Sequence, residues 1–192
     1  MAIVHFITHP QVVIDPSIAV TDWALSALGL QRAGALLTRS WVAGVRAVFS
    51  SAERKAFDMA CMMADQLGVR PIVIDGLGEN DRSATGYLPA AEFEIVADAF
   101  FARPWDSVRG WERAVDAQRR IVAAVDHALA MAPAACDVAI VSHGGVGALL
   151  LCHLKGVPIS RADDQPGSGG GNVYSFDRST RCLLSGWRSI ED

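Results

Sequence analysis

Residues 138–146 read VAIVSHGGV, a continuous apolar run followed by a serine, a histidine and two glycines. Residues 3–10 read IVHFITHP and repeat that order: an apolar run, a hydroxyl residue, a histidine and a turn residue. Short apolar runs of this kind predict buried strands. Ligands of parallel sheets bind outside the carboxyl ends of the strands. If the two strands are neighbours, His9 and His143 therefore converge on one point of the binding crevice.

The histidines at these strand ends suit several kinds of chemistry. A neutral imidazole can serve as a nucleophile, a base or a metal ligand. Gly144 opens a predicted helix directly after His143. The free N–H groups and positive dipole end of that helix favour an anion held between the two histidines.

Around these two strands, apolar runs alternate with helical patterns. We predict an α/β protein, a three-layer α/β/α sandwich whose central sheet is mostly parallel, because continuous apolar strands are typical of sheets covered on both faces. Ser26 is a plausible N-cap, and Ser50 with Glu53 forms a capping-box pattern. Leu28 and Leu36 are expected on the inner face of the first helix. The predicted strands are 3–7, 47–49, 71–74, 138–141, 173–176 and 183–187, and the predicted helices are 26–42, 52–67, 90–101, 109–131 and 144–154.

Length and composition narrow the class of protein. The 192 residues predict a single domain, 1–192, with an excursion at about 75–110 that covers the site. The net charge of −4 argues against broad binding to nucleic acid or to anionic membranes. No apolar run approaches the roughly 18 residues that span a bilayer. The first residues lack signal-peptide features, and the four cysteines lack CxxC spacing, so we expect a cytoplasmic protein with reduced thiols.

Several segments, in the same order along the chain, resemble one known family. Residues 50–56, SSAERKA, are similar to its Ser-Ser segment, which carries a phosphate-binding arginine. Residues 77–79, LGE, resemble the loop that carries its acid. Residues 141–146, VSHGGV, match its second histidine motif closely. On these motifs the chain resembles the histidine phosphatase superfamily, whose fold is phosphoglycerate mutase-like.

The resemblance implies a role for each residue. His9 would be the nucleophile that becomes phosphohistidine, and His143 would hold the phosphoryl oxygens. Glu79 would be the general acid, with Asp81 as the alternative. The implied partner is a small phosphorylated substrate, and the implied reaction uses no metal and no cofactor. Positive donors around the nucleophile suit phosphoryl transfer because negative charge spreads over the phosphoryl oxygens in the transition state.

This chain departs from the family pattern around the first histidine. Where the family has Arg-His-Gly, the chain has Thr8-His9-Pro10, so a neutral hydroxyl replaces a guanidinium fork. The second basic position falls on Lys55, and only two of the seventeen basic residues are lysine. Arg54 lies one residue earlier and would point to another face of the helix.

Further candidates for contact with phosphate or substrate follow from these departures. Asp15 lies six residues after His9 and would add a negative charge if it faced the pocket. Arg82 is the first candidate for a replacement cation, and Arg109 is the second. Losing one charged hydrogen bond costs about 1.5–3 kcal/mol. We therefore expect weaker phosphate binding than in an ordinary member of the family.

Three functions stay open from the sequence. The first is a phosphatase that acts through phosphohistidine on His9. The second is a catalytically weak or inactive member that binds a ligand or regulates, which Thr8 and Pro10 would favour. The third is a metal-dependent hydrolase built on the two histidines and a loop carboxylate, although the spacing matches no local metal motif.

Overall fold

The computed structural model describes residues 2–167 and 169–192. Over these residues the chain forms six strands and five α-helices. In chain order they are β1 Ile3–Thr8, α1 Ala27–Leu37, β2 Val45–Ser50, α2 Arg54–Leu67, β3 Ile72–Val73, α3 Ala90–Ala102, α4 Ala114–Met131, β4 Asp137–Ser142, α5 Gly144–Lys155, β5 Asn172–Asp177 and β6 Leu183–Ser189.

All six strands form one sheet in the order β3-β2-β4-β1-β5-β6. Strands β3, β2, β4 and β1 run parallel, whereas β5 and β6 pair antiparallel at one edge. The mostly parallel sheet of the prediction is therefore confirmed. Strands β1 and β4 are direct neighbours, with Thr8 opposite Ser142 at their carboxyl ends.

The two faces of the sheet carry separate apolar cores. Phe6 and Ile140 pack on one face with residues of α4 and α5. Ile7 and Val141, each one position further along, pack on the other face with residues of α1 and α2. Alternation along the strands thus buries both faces, as expected of a three-layer α/β/α sandwich. No helix in the described ranges has the length and apolar character needed to cross a bilayer.

The first helix is shorter than predicted. The Ser26 hydroxyl accepts a hydrogen bond from the Gly29 N–H (3.1 Å), which confirms the predicted N-cap. Helix α1 ends at Leu37, and a 3-10 turn fills residues 40–44. Leu36 is buried as predicted, but Leu28 is 52% exposed. The prediction for Leu28 was wrong because the buried stripe follows Gly29 and Leu36 instead.

The predicted capping box at the start of the second helix is also wrong. Helix α2 begins at Arg54, later than expected, and Glu53 precedes it without a side-chain cap. The Ser50 hydroxyl donates to the Ser51 carbonyl (2.9 Å) and not to a helix N–H. The Glu53 carboxylate is therefore available to the crevice at the end of the sheet.

The predicted excursion at about 75–110 contains a 3-10 turn, a loop and α3. Phe100 and Trp111 are buried in the core beside α4, while Trp105 is 65% exposed. The Tyr87 and Trp23 rings lie 5.8 Å apart, which ties this segment to the loop that follows β1. That the excursion covers the site stays a prediction.

Candidate active site

The two predicted histidines meet at the carboxyl ends of the neighbouring strands β1 and β4. The His9 N–H donates to the Ser142 carbonyl (3.2 Å), which extends the parallel pairing by one residue. The centroids of the His9 and His143 rings are 5.2 Å apart, with the ring planes at 67°. The convergence that the matched strand ends indicate is therefore present.

His9 is held with one ring nitrogen free. Its Nδ1 lies 2.9 Å from the Pro10 carbonyl oxygen, and because a carbonyl can only accept, Nδ1 carries the proton. The neutral ring then has its lone pair on Nε2. Burial, the neighbouring His143 and the Lys55 charge lower the pKa of His9 to about 3, against the opposing effects of the Pro10 hydrogen bond and Glu53. Near neutral pH, Nε2 is thus unprotonated and has the lone pair that a nucleophile needs.

His143 is fully buried and is oriented from the side of β2. Its Nε2 lies 2.7 Å from the Ser51 hydroxyl and 3.3 Å from Glu53 Oε1. Its Nδ1 has no hydrogen-bond partner among the described residues. Burial lowers the pKa of His143, although the negative charges of Glu53 and Glu79 oppose this. A buried nitrogen without a protein partner is the atom of this ring that can face a ligand.

Glu53 is a component of the site that the sequence reasoning assigned only to a helix cap. Its carboxylate is paired with the Lys55 ammonium and accepts the Glu79 N–H at 2.8 Å. Burial acts to raise the pKa of Glu53, but His143, Lys55 and the Glu79 N–H outweigh it and lower the pKa to about 2. Such a carboxylate holds no proton near neutral pH, so Glu53 is a charge partner and not an acid.

Lys55 is a buried cation and not a solvated residue of the helix surface. It is 3% exposed and donates to the Val20 carbonyl (2.8 Å) in addition to its contact with Glu53. Its charge reaches both histidines, because it lowers the pKa of His9 and of His143. The second basic position of the family pattern is therefore filled, but its charge is shared with a carboxylate.

Glu79 occupies the N-terminus of α5. Its Oε2 accepts the Gly145 N–H (3.1 Å), and its Oε1 accepts the Val146 N–H (3.0 Å). We predicted that this helix end, opened by Gly144, holds a phosphate. The structure corrects this in part, since these two N–H groups are bonded to the protein's own Glu79 side chain. A Cβ at Gly145 would lie 2.8 Å from Glu79 Oε1, so the glycine leaves space for it.

The loop that carries Glu79 is anchored from two sides. The Ser142 hydroxyl donates to the Leu77 carbonyl at 2.7 Å. Arg120 on α4 donates to the carbonyls of Gly76 (2.9 Å), Gly78 (2.9 Å) and Glu79 (3.1 Å). Arg120 is thus a positioning residue. It could not be recognised from sequence, because nothing in its own helix distinguishes it from a surface arginine.

The other charged residues of this loop divide between the site and the surface. The Asp81 carboxylate accepts the Ser83 N–H (2.8 Å), which lowers the pKa of Asp81, and the residue is exposed. The Arg82 guanidinium lies over the rings of Phe93 (5.1 Å) and Trp111 (5.6 Å). The Arg82 charge also lowers the pKa of His143, so this cation lies within electrostatic range of the site.

Thr8 does not present its hydroxyl to the crevice. Its Oγ donates to Gln165 Oε1 (2.7 Å) and accepts the Asn172 N–H (2.9 Å). A threonine hydroxyl has one proton, and that proton is already used. The structure therefore corrects the prediction of a phosphate contact at this position to a contact with Gln165, a residue that the sequence reasoning did not consider.

Three predicted residues lie outside the cluster. The Arg54 side chain is 60% exposed and pairs with Asp58 at 3.6 Å, because it projects one residue around α2 from Lys55. Asp15 accepts two bonds from Ser17, its N–H (2.9 Å) and its hydroxyl (2.6 Å). Arg109 is exposed and pairs with Glu92 on α3. None of the three contacts either histidine.

The described part of the chain contains no group of three or more His, Cys, Asp or Glu side chains placed to hold a metal ion. The described residues thus offer no set of metal ligands that would support the hypothesis of a metal-dependent hydrolase. What the cluster combines is an unprotonated imidazole nitrogen, a buried second imidazole, one buried cation and a carboxylate on a loop.

Comparison with known proteins places these features in a family context. Residues 15–181 match a sequence model of the histidine phosphatase superfamily (branch 1). The matched span includes Lys55, Glu79 and His143 but leaves out Thr8 and His9. No curated protein matches the chain significantly.

Several solved structures have the same fold. A mycobacterial glucosyl-3-phosphoglycerate phosphatase with inorganic phosphate is 22% identical, with a TM-score of 0.77 and 100% of both chains covered. YhfR of Bacillus stearothermophilus is 19% identical, with a TM-score of 0.76, and 95% of this chain and 94% of that one are covered. A phosphoserine phosphatase of Entamoeba histolytica in complex with 3-phosphoglyceric acid is 15% identical, with a TM-score of 0.72 and 100% of both chains covered. At such identities the likeness establishes the fold.

Proposed function

The chain belongs to the histidine phosphatase superfamily, branch 1, and from this we propose that it is a phosphatase acting through a phosphohistidine on His9. Its substrate would be a small phosphate ester or a phosphorylated side chain. The observation that carries the proposal is the state of His9, whose Nδ1 is bonded to the Pro10 carbonyl while the ring lies 5.2 Å from that of His143. That arrangement leaves Nε2 free to attack.

The proposed reaction has two steps. First, the Nε2 lone pair forms a bond to phosphorus while the ester P–O bond breaks, and Glu79 gives its proton to the leaving oxygen. Water then attacks the phosphohistidine, the N–P bond breaks, and the proton lost by water returns to Glu79. The geometry supports Glu79 over Asp81 as the acid, because Glu79 contacts the start of α5 directly after His143, whereas Asp81 is exposed and bonded to Ser83.

The surrounding groups would stabilise the charge that develops on the phosphoryl oxygens. His143 and Lys55 are buried, and hydrogen-bond donors in such a site act more strongly than they do in water. Glu53 moderates this effect because it shares the Lys55 charge. We therefore keep the expectation of weaker phosphate binding than in members with two arginines.

A ligand-binding or regulatory role is the second candidate. It is favoured by Thr8 and Lys55, the two positions of the family pattern that would supply hydrogen-bond donors to a phosphate. The Thr8 proton is used by Gln165, and Lys55 is paired with Glu53. This role predicts binding of a phosphorylated ligand without hydrolysis.

Trapping of the intermediate distinguishes the two functions. The wild-type chain is incubated with a ³²P-labelled small phosphoryl donor, quenched in alkali and tested for a label that is acid-labile and alkali-stable. We expect label on His9, none in His9→Ala, and wild-type label in His127→Ala, since His127 is exposed on α4. Absence of label together with retained ligand binding would support the second function, and label retained in His9→Ala would refute the assignment of the nucleophile.

A further inference from the structure

Gln165 lies in the loop between α5 and β5, and its side-chain amide touches both halves of the site. We propose that Gln165 Nε2 donates a hydrogen bond to the phosphoryl group, at the position where Thr8 replaces a cation of the family pattern. This inference rests on the proposed phosphate site, and it names a neutral donor of that site.

The hydrogen bonds of its neighbours fix which atom of the amide is the nitrogen. Asn172 Nδ2 donates to the Pro166 carbonyl (3.2 Å), which can only accept, so the orientation of the Asn172 amide is settled. The same Nδ2 donates to Gln165 Oε1 at 3.1 Å, and the Thr8 hydroxyl donates to it at 2.7 Å. Gln165 Oε1 thus accepts two bonds, and Nε2 must be the atom on the other side.

The nitrogen packs against Gly144, the residue that follows the second histidine. A Cβ built on Gly144 would fall 2.1 Å from Gln165 Nε2, so the amide packs directly against that glycine. Gly144 follows His143, and Thr8 precedes His9, so the amide reaches from one histidine segment to the other. No described residue accepts a hydrogen bond from Nε2. Two N–H groups therefore remain for a ligand.

The loop that carries Gln165 is held in place before any ligand binds. Arg161 pairs with Asp164 in the loop and with Glu94 and Asp98 on α3. The Asp164 carboxylate in turn accepts the Gln165 N–H at 2.8 Å. An amide oriented in advance loses less side-chain entropy when a ligand binds.

The packing of the Gln165 amide depends on a glycine at position 144. Any larger residue at 144 would overlap the amide, whose packing depends on the missing side chain. The function of Thr8 then follows: it does not hold phosphate, but it orients the residue that does. Thr8 is in this sense a positioning residue, and Gln165 is a binding residue.

The first test measures the dissociation constants of inorganic phosphate and orthovanadate on the full chain. Gln165→Met keeps the volume and removes the donor, so both ligands should bind about 10- to 100-fold more weakly, as for one hydrogen bond to a charged group. Gln165→Glu should weaken binding further, because it places a carboxylate beside the anion. Gln31→Met on the exposed surface of α1 is the matched control and should bind as the wild type does.

Thr8→Val tests the positioning role. It should weaken phosphate binding about as much as Gln165→Met, and the double variant should be no weaker than either single one, because both act through the same amide. Additive losses would contradict the positioning role.

A direct readout avoids dependence on variants that fold poorly. In ¹⁵N-labelled wild-type protein, the Gln165 side-chain NH₂ signals are assigned by their loss in Gln165→Met. They should shift on addition of phosphate, while those of Gln31 stay in place. If the wild type binds phosphate and neither the NH₂ signals nor the Gln165→Met affinity change, this inference fails alone. If the wild type binds neither phosphate nor vanadate and forms no phosphohistidine, the proposed function fails with it.

Discussion

Glu53 and Lys55, two residues apart at the start of α2, form an ion pair beside His143 in which Lys55 is buried and Glu53 is partly buried. The pair places the cation of the site in a low-dielectric position and neutralises it there. A bound phosphoryl group would compete with the Glu53 carboxylate for Lys55. The affinity of the site for anions is therefore set by a protein carboxylate as well as by its cations.

Replacement of Glu53 by glutamine should strengthen anion binding. The Lys55 ammonium loses its charge partner, so orthovanadate should bind about 10-fold more tightly, as expected when one charge-assisted hydrogen bond is released. Lys55→Met should weaken binding by a similar factor. Arg54→Gln is the control and should leave vanadate affinity unchanged, because Arg54 is exposed and pairs with Asp58. Weaker vanadate binding in Glu53→Gln would contradict the competition.

The ring of His9 should stay neutral well into the acid range. Burial, His143 and Lys55 lower its pKa to about 3. In ¹⁵N NMR spectra, its Nδ1–H tautomer should persist from pH 8 to about pH 4, and protonation should begin only below that. The His9→Ala spectrum identifies the signal. A titration midpoint near 6.5 would mean that burial does not lower the pKa of His9.

Glu79 and Asp81 should differ as acids when the leaving group is poor. For an alkyl phosphate, Glu79→Gln should lower kcat by about 10²- to 10⁴-fold, the usual contribution of a general acid. For p-nitrophenyl phosphate, whose leaving group needs little protonation, the loss should be much smaller. Asp81→Asn should retain near wild-type activity on both substrates. Equal losses on the two substrates would indicate that Glu79 acts only through its bonds to α5.

The free energy of unfolding should fall as the pH drops from 6.5 towards 4, partly because of His5. Burial lowers the pKa of His5 to about 4, so in this range the unfolded chain binds a proton that the folded chain excludes. This contribution is fully present above pH 6.5 and is lost as the pH falls.

His5→Phe tests that contribution, since its ring can still stack on Trp41, whose centroid lies 4.0 Å from that of His5. The difference in stability between variant and wild type should shift by about 2 kcal/mol in favour of the variant between pH 8 and pH 5. Chemical denaturation at both pH values measures it. The difference at pH 8 serves as the control, because it contains only the loss of packing and of the bond to Ser175 (2.9 Å). A difference that does not change with pH would contradict the linkage.

Two glycines in helices should respond to alanine with opposite signs. A Cβ at Gly34 in α1 would meet no atom within 4 Å, so Gly34→Ala should stabilise the protein by about 0.5–1 kcal/mol. A Cβ at Gly147 in α5 would lie 2.8 Å from Phe6 and 2.9 Å from Trp187. Gly147→Ala should therefore destabilise by about 1–3 kcal/mol. Thermal or urea unfolding of both variants measures the contrast, and a shared sign would contradict it.

The sequence predicts that the two histidines lie close together, but it does not predict which residues position the site or set its charge. The convergence of His9 and His143 follows from local patterns, because a buried strand that ends in a histidine places it at a known edge of the sheet. The roles of Glu53, Arg120 and Gln165 depend on contacts between distant segments. Their own neighbourhoods in the sequence look like a helix cap, a surface helix and a polar loop.

The departure at Thr8 shows the same limit. From sequence, a threonine in place of an arginine predicts a weaker phosphate contact, through one neutral hydroxyl. Only the packing of Gln165 against Gly144 shows a donor from another loop at that place. The absence of a cation there stays a prediction about the phosphate site, but the Thr8 hydroxyl is bonded to Gln165.

The position of β1 within the sheet also governs when the site can form. β1 pairs with β4 and β5, so Phe6 lies opposite both Ile140 and Tyr174. Strand β1 must therefore wait for partners that lie far from it in the sequence. Such long-range pairing slows folding, because the chain loses the entropy of closing a long loop before the stabilising contacts form. His9 and His143 then come together only after β4 has been synthesised and has paired with β1, so a nascent chain that stops before β4 has no assembled site.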